Sequence, residues 1–207
     1  LMLLLPACRS AAVERTITLM THDSFAVSES VLQPFEESTG AKVVVLESGD
    51  AGAALNKAIL TKQAPLADVF YGVDNTFLSR ALQEEIFEPY ASPLLEKISA
   101  PYRLDPQNRA LPVDYGDVCI NYDREWFSSR SLALPQTLED LALPEYKGLL
   151  AVENPYTSSP GLAFLLATVA HFGPEGFSVY WKSLKANRVA VVDGWETAYY
   201  SNFSALS

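Results

Sequence analysis

The chain has 207 residues, a formal net charge of -10 at neutral pH, and 49% hydrophobic against 19% charged residues. This balance excludes a disordered chain, which lacks the apolar surface that offsets the entropy of ordering, and the length allows one large domain or two small ones. The acidity argues against a nucleic-acid partner, because binding to phosphates needs a basic surface, and it favours a neutral or cationic small ligand.

The first residues resemble the end of a secretion signal. Residues 1–7 are apolar but too short to span a bilayer, and the sequence LPAC at residues 5–8 resembles a bacterial lipobox, whose cysteine becomes lipid-modified. We therefore expect residues 1–13 to be a signal remnant and tether region, with Cys8 lipidation as the only link to a membrane. The alternatives are a plain signal peptide and a chance apolar start. Cys119, in an apolar segment, is expected to be a buried thiol, and a disulfide between Cys8 and Cys119 is the alternative.

Three strand, loop and helix units follow one another in the first half of the chain. The predicted strands cover residues 16–20, 42–46 and 67–72. A helix is expected after each strand: the first begins at Ser28 or Ser30 and ends at Gly40, the second carries Leu55 and Ile59 on one face, and the third begins near residue 73. Repeated units of this kind predict a parallel, doubly wound α/β sheet.

The second half is predicted to form another α/β unit. Residues 87–107 are interrupted by prolines and are expected to be a surface connection with one short helix at 94–98. Two apolar strands, 111–114 and 118–122, flank Gly116, where the chain is expected to cross between lobes. Later strands are predicted at 149–153 and 189–192, with helices at 161–171, 176–186 and from Gly194. We expect a first lobe at 14–113, and a hinge crossover with a second lobe at 114–207.

Polar residues follow the first predicted strand directly. Ligands of open α/β sheets bind beyond the carboxyl ends of the strands, so His22, Asp23 and Ser24 are the first candidates for ligand contact. Asp74 and Asp114 follow later strands. A pair such as Asp23 and Asp114 would permit acid and base chemistry, as in a secreted hydrolase. The structural alternative is that these aspartates cap helices and hold turns.

Two further candidates lie in the second half. Ser159 suits the N-cap of a helix and Pro160 its first position, so the N–H groups that begin this helix favour a phosphate or hydroxyl ligand; the alternative is a well-capped buried helix. Trp195 and Tyr199 favour stacking on an aromatic or cationic ligand, or else belong to the core. No metal site or cofactor is predicted, because the sequence has two histidines and no paired cysteine motif.

Five separated motifs carry a family resemblance. They read MTHDSFA at 20–26, ADVFYGVDNT at 67–76, PVDYG at 112–116, NPYTSSPGL at 154–162 and DGWETAYY at 193–200. In order and spacing they resemble the thiamine-binding proteins of bacterial ABC transporters. The resemblance implies a two-lobed, type II periplasmic-binding-protein-like fold in an extracytoplasmic location, without catalysis. It also implies a thiamine-class ligand held between the lobes, delivery to ABC permease subunits, and a chain that lacks the C-terminal part of the family fold.

The resemblance also implies a set of ligand-binding residues. Carried over by position, they are Asp23, Ser24, Ser48, Gly49 and Asp74 on the first lobe, Tyr115 at the crossover, and Ser158, Ser159, Gly161 and Trp195 on the second lobe. His22 and Tyr199 join them as aromatic candidates, and His22 stands where the family is expected to have tyrosine.

Two alternatives keep the same fold but change the ligand. One is a ferric-ion protein with Tyr199 and Tyr200 among the metal ligands, and the other is a polyamine-binding protein. Within the thiamine class, Tyr156 stands where the family pattern often has arginine. This difference favours free thiamine over a thiamine phosphate.

Overall fold

The computed structural model describes residues 15–204, so the expected tether region and Cys8 lie outside the described residues. The strands are β1 (Arg15–Thr21), β2 (Ala41–Glu47), β3 (Val69–Phe70), β4 (Ala151–Glu153) and β5 (Ala190–Val192). The α-helices are α1 (Glu29–Thr39), α2 (Ala51–Leu60), α3 (Leu78–Gln83), α4 (Arg124–Ser129) and α5 (Ser159–Ala186). Short 3-10 turns cover Pro93–Lys97, Ala100–Tyr102, Asp140–Ala142 and Pro144–Tyr146, and a π-helical segment covers Thr197–Phe203.

The strands form two parallel sheets. In the first sheet β1 lies between β2 and β3, and its pairing with β2 runs from Arg15 opposite Ala41 to Thr21 opposite Glu47. The second sheet pairs β4 with β5. The parallel α/β architecture is therefore confirmed, and the carboxyl ends of β1, β2 and β3 meet at one edge of the first sheet. The expected lobe boundary between residues 113 and 114 stays a prediction.

The residues that flank α1 and α2 explain where these two helices begin and where α1 ends. Ser28 precedes α1, and Gly40 ends it in the left-handed conformation with φ 67° while its N–H donates to the Glu36 carbonyl. Asp50 caps α2 by accepting a hydrogen bond from the Ala51 N–H at 2.6 Å. The sequence predicted α1 from Ser28 and Gly40, although the Ser28 side chain makes no capping hydrogen bond, and it predicted α2 from Leu55 and Ile59 on one face and not from the Asp50 cap.

Two apolar clusters form the cores. Leu55, Phe77 and Ala81 form the first, beneath the first sheet, and Leu141, Tyr180 and Leu184 form the second. Leu162, from the first turn of α5, packs against the first cluster although its helix belongs with the second sheet. The beginning of α5 therefore joins the two parts of the fold.

Helix α5 is divided in the middle. Gly173 has φ 74° and ψ 171°, and Pro174 follows it, so residues 159–172 and 174–186 are two helical halves, as the sequence predicted. By length and composition the undivided helix is apolar enough to cross a membrane. Each half, however, is shorter than the roughly 20 residues that a spanning helix needs.

The structure corrects three predictions. Residues 111–114 and 118–122 do not form strands, because among the described residues they lack the pairing with a neighbouring strand that would satisfy their backbone hydrogen bonds. Cys119 is consequently exposed rather than buried. The third helix begins at Leu78 and not near residue 73, since the Asp74 carboxylate accepts hydrogen bonds from the N–H groups of Thr76 and Phe77 and holds a turn there.

Helix α4 was not predicted from the sequence. Asp123 caps it by accepting hydrogen bonds from the N–H groups of Glu125, at 2.8 Å, and Trp126, at 3.0 Å. An aspartate at the N-cap with a glutamate in the first turn is a helix-start signal that could have identified this helix.

Candidate functional site

The loop that follows β1 builds one side of a cleft. Its backbone is fixed to the loop after β2, because the Asp23 N–H donates to the Gly49 carbonyl at 3.0 Å and the Ser48 N–H donates to the Thr21 carbonyl at 3.0 Å. The His22 Nδ1 and Ser24 Oγ atoms are hydrogen-bonded at 2.9 Å. These bonds present His22, Asp23 and Ser24 at the carboxyl edge of the first sheet, where they line the cleft.

Three aromatic rings cluster on this side. Ring centroids are 5.0 Å apart for Phe25 and Tyr71, 5.8 Å for His22 and Tyr71, and 6.4 Å for His22 and Phe25. Gly72, with φ 119°, permits this packing, because a Cβ atom there would lie 2.8 Å from His22 Cδ2. The three rings together offer π faces to a flat or cationic ligand.

Tyr71 is held at this position by the crossover segment. Its hydroxyl donates to Asp114 Oδ2 at 2.6 Å, and this hydrogen bond, with partial burial and the nearby negative charge, raises the pKa of Tyr71 to about 12. Asp114 therefore anchors the residue 111–122 segment to the first sheet. Phe25 and Tyr71 were not among the predicted site residues, although both lie inside the quoted motifs.

The opposite side of the cleft carries a second aromatic group. Trp195 stacks on Tyr199 with ring centroids 5.1 Å apart and planes 7° apart, and Tyr200 meets Trp195 edge-on at 5.6 Å. Trp195 and Tyr200 line the same cleft as His22 and Asp23. The π-helical segment that carries the two tyrosines is a geometry common at functional sites.

Acidic groups lie in the cleft and beside it. Asp23 and Asp50 line the cleft, and Glu153 lies at the end of β4, before α5. Burial raises the pKa of Glu153, and the negative charges of Asp50 and Asp23 raise it further. The Ser158 hydroxyl, which donates a hydrogen bond to the Glu153 carboxylate, acts in the opposite direction and lowers the pKa. The negative charge of the site therefore favours the binding of a cation and disfavours the binding of an anion.

The structure brings most of the predicted residues together. Those that line the cleft are His22, Asp23, Ser24, Asp74, Tyr115, Ser159 and Trp195. Tyr115, at 77% exposure, stacks on Tyr102 with ring centroids 5.0 Å apart. Asp74 combines the two readings that the sequence left open, because it lines the cleft and also holds the turn before α3.

Five predicted residues do not line the cleft in this structure: Ser48, Gly49, Ser158, Gly161 and Tyr199. Ser48 is buried and its hydroxyl bonds to the Leu46 carbonyl, while the Gly49 carbonyl supports Asp23 from behind. Tyr199 lies behind Trp195 as its stacking partner. These residues shape the site through their neighbours.

The beginning of α5 differs from the prediction by one residue. Ser158, rather than Ser159, precedes the helix, and its buried hydroxyl donates to Glu153 and does not cap the helix. Gly161 is needed for close packing, because a Cβ atom there would collide with the Glu153 backbone carbonyl. Ser159 is the residue of this group that reaches the cleft.

Comparison with known proteins gives sequence relatives of one kind. The chain is 28% identical over 202 residues to the thiamine-binding periplasmic protein of Salmonella typhimurium. The match covers 95% of this chain and 59% of the relative, so the chain spans a little over half the length of the curated relative.

Solved structures agree on the fold. A periplasmic thiamin binding protein superposes with a TM-score of 0.68 at 24% identity, covering 95% of this chain and 60% of that chain. A ferric binding protein from Campylobacter jejuni superposes with a TM-score of 0.57 at 22% identity, covering 83% of this chain and 53% of that one. These likenesses confirm the predicted periplasmic-binding-protein-like α/β fold, and they show that this fold serves different ligands.

The family assignment comes from a sequence model. The bacterial extracellular solute-binding protein family matches residues 64–198, which include β3, the crossover segment, α5 and Trp195. An extracellular family agrees with the extracytoplasmic location expected from the sequence. Together with the cleft between two parallel sheets, this match shows that the chain belongs to the bacterial extracellular solute-binding proteins.

Proposed function

We propose that this chain captures free thiamine, or a close relative of it, in the cleft between its two sheets. The observation that carries the proposal is the pairing of two aromatic groups, around Tyr71 and around Trp195, with carboxylates in one cleft. Thiamine offers a flat aminopyrimidine ring and a thiazolium cation. A cation over an aromatic face gains about 0.5 to 2 kcal/mol, and the Asp23 carboxylate, which lines the cleft, attracts the same positive charge.

The names of the sequence relatives support the same ligand, and the family supports a binding role rather than catalysis. We propose that the protein delivers its ligand to the permease subunits of an ABC transporter and is held at the membrane through a lipid on Cys8. A ligand that contacts both sides of the cleft would shift the population towards the closed arrangement by its differential affinity.

Tryptophan fluorescence tests the ligand assignment. Titration with thiamine is expected to give saturable quenching, because Trp195 lines the cleft. Trp195→Phe is expected to lose most of the quenching, whereas Trp126→Phe keeps it, since Trp126 lies on α4 against Phe127 and Arg130, outside the cleft. If the tryptophan fluorescence of the wild-type chain does not change at millimolar thiamine, the proposal is refuted.

The alternatives have their own readouts. A ferric-ion protein using Tyr199 and Tyr200 would develop a visible phenolate-to-iron absorption band on addition of ferric salt. A polyamine-binding protein would be saturated by a polyamine and not by thiamine. For the hydrolase alternative, Asp114 already accepts a hydrogen bond from Tyr71, and turnover lost in Asp23→Asn would be its signature.

A further inference from the structure

Asp50 is bonded to both sides of the cleft. Its Oδ1 atom accepts from the Ala51 N–H at 2.6 Å and so caps α2, beside the first sheet. Its Oδ2 atom accepts a hydrogen bond from the N–H of Trp195 at 3.0 Å, and Trp195 lies 145 positions later in the chain. One carboxylate therefore holds both the start of a helix and the backbone of the principal aromatic residue on the opposite side.

A second contact lies beside the first. The Thr157 carbonyl, from the loop after β4, accepts from the N–H groups of Gly52 at 2.8 Å and Ala53 at 3.2 Å. The first N–H groups of a helix have no partner within the helix, so those of α2 are satisfied partly from the other side of the cleft. The Thr157 hydroxyl also donates to the Asp193 carbonyl at 2.6 Å, which ties this loop to the turn before Trp195.

Glycine makes both contacts possible. A Cβ atom on Gly52 would lie 2.8 Å from the carbonyl oxygens of Tyr156 and Thr157, and a Cβ atom on Gly194 would lie 2.6 Å from Asp50 Oδ2. Neither glycine has a positive φ. Each is therefore required for close approach across the cleft and not for an unusual backbone conformation.

We propose that Asp50 is a positioning residue that couples closure of the cleft to the placement of Trp195. The bonds from Asp50 to Trp195 and from Thr157 to α2, which we call the closure contact, form when the two sides approach. They hold the Trp195 backbone beside the start of α2 and so fix where its side chain lines the cleft. Ligand affinity then depends on the closure contact even where the ligand does not touch the residues that form it. The identity of the ligand rests on the proposed function, whereas the existence of the closure contact does not depend on it.

Two variants break the closure contact in different ways. Asp50→Ser retains a hydroxyl that can cap α2 but loses the oxygen that reaches Trp195. Gly194→Ala keeps the carboxylate in the cleft and pushes it away from the Trp195 N–H. Asp123→Ser is the matched control, because it makes the same change at the cap of α4, away from the cleft. Circular dichroism is expected to show wild-type helix content in all three.

The first measurement needs no ligand. In the unliganded chain labelled with fluorotryptophan, the ¹⁹F resonance of Trp195, assigned by its loss in Trp195→Phe, is expected to shift in Asp50→Ser and Gly194→Ala but not in Asp123→Ser. Small-angle X-ray scattering is expected to give a larger radius of gyration for the same two variants. An unchanged resonance and an unchanged radius in both would overturn the proposal.

The second measurement uses thiamine. Asp50→Ser and Gly194→Ala are each expected to weaken binding by about 10- to 100-fold, with Asp123→Ser at wild-type affinity. If Asp50→Ser alone weakens binding, Asp50 is a direct ligand contact and the positioning role is refuted. If the wild-type chain does not bind thiamine, the proposed function fails, and the ligand-free scattering and ¹⁹F data still decide whether the closure contact exists.

Discussion

At the scale of single residues, hydrogen-bonded pairs explain how the cleft side chains are held. Tyr71 donates to Asp114, and Ser158 donates to Glu153. Neither pair could be predicted from the sequence, because the first partners are 43 residues apart and the second depends on a buried turn. Each pair changes the pKa of one of its members, Tyr71 in the cleft and Glu153 beside it, so each can be followed by titration.

Tyr71 is expected to keep its proton to unusually high pH. Its pKa is raised from 10 to about 12, so the stabilisation from its bond to Asp114 is complete below pH 10 and is lost as pH rises through about 12. The difference in phenolate absorbance between the wild-type chain and Tyr71→Phe isolates this group during an alkaline titration. In Asp114→Asn the transition is expected to move down towards 10, and an unmoved transition would refute the pairing.

Glu153 is expected to destabilise the fold when it is ionised. Its folded-state pKa is raised, chiefly by burial, so the free energy of unfolding falls as pH rises above 4.5 through the folded-state value. Glu153→Gln is expected to be more stable than the wild type to urea at neutral pH, because it removes a buried charge near Asp50 and Asp23 while leaving an acceptor for Ser158.

Glu139→Gln provides a control of opposite sign. The hydrogen bond from His171 is the main cause that lowers the pKa of Glu139. This carboxylate therefore stabilises the fold when ionised, and its amide variant is not expected to gain stability at neutral pH. Equal gains in both variants would contradict the electrostatic explanation.

At the scale of elements, the break in α5 is the feature with the clearest energetic consequence. Gly173 occupies a backbone region that is essentially restricted to glycine. Gly173→Ala is therefore expected to lower the free energy of unfolding by about 1 to 3 kcal/mol in urea denaturation.

Gly176→Ala is the matched control in the same helix. Gly176 does not have a positive φ, and its added Cβ atom would meet only the Phe172 side chain, at 3.2 Å. Because alanine is the better helix former by about 1 kcal/mol, this variant is expected to be neutral or slightly stabilising. A loss equal to that of Gly173→Ala would show that added bulk, and not backbone conformation, is the cause.

At the scale of the whole molecule, charge is expected to select the form of the ligand. The chain has a net charge of -10, Glu153 lies where α5 begins, and Tyr156 stands in place of an expected arginine. The N–H groups at the start of α5 would otherwise favour a phosphate, but the Glu153 carboxylate beside them repels one. Calorimetry is expected to show thiamine monophosphate binding about 10-fold or more weakly than thiamine.

Salt provides a check on this electrostatic discrimination. Because added salt screens exposed charges, raising the ionic strength is expected to reduce the difference in binding affinity between thiamine and thiamine monophosphate. Glu153→Gln is expected to narrow it as well. Equal or tighter binding of the monophosphate by the wild-type chain at low salt would show that the cleft contains a phosphate site and that the charge argument is wrong.

Local patterns in the sequence by themselves determined the parallel α/β class, most helix and strand positions, and the loop of His22, Asp23 and Ser24 as a ligand candidate. These features depend on local periodicity, capping residues and turn chemistry, which act over a few positions. The tertiary structure decided which candidates meet in one cleft, that Tyr71 joins them, and that Ser158 turns inward to Glu153. It alone revealed that Asp50 reaches Trp195, because a hydrogen bond across 145 positions depends on how two sheets approach and leaves no periodic signal in the chain.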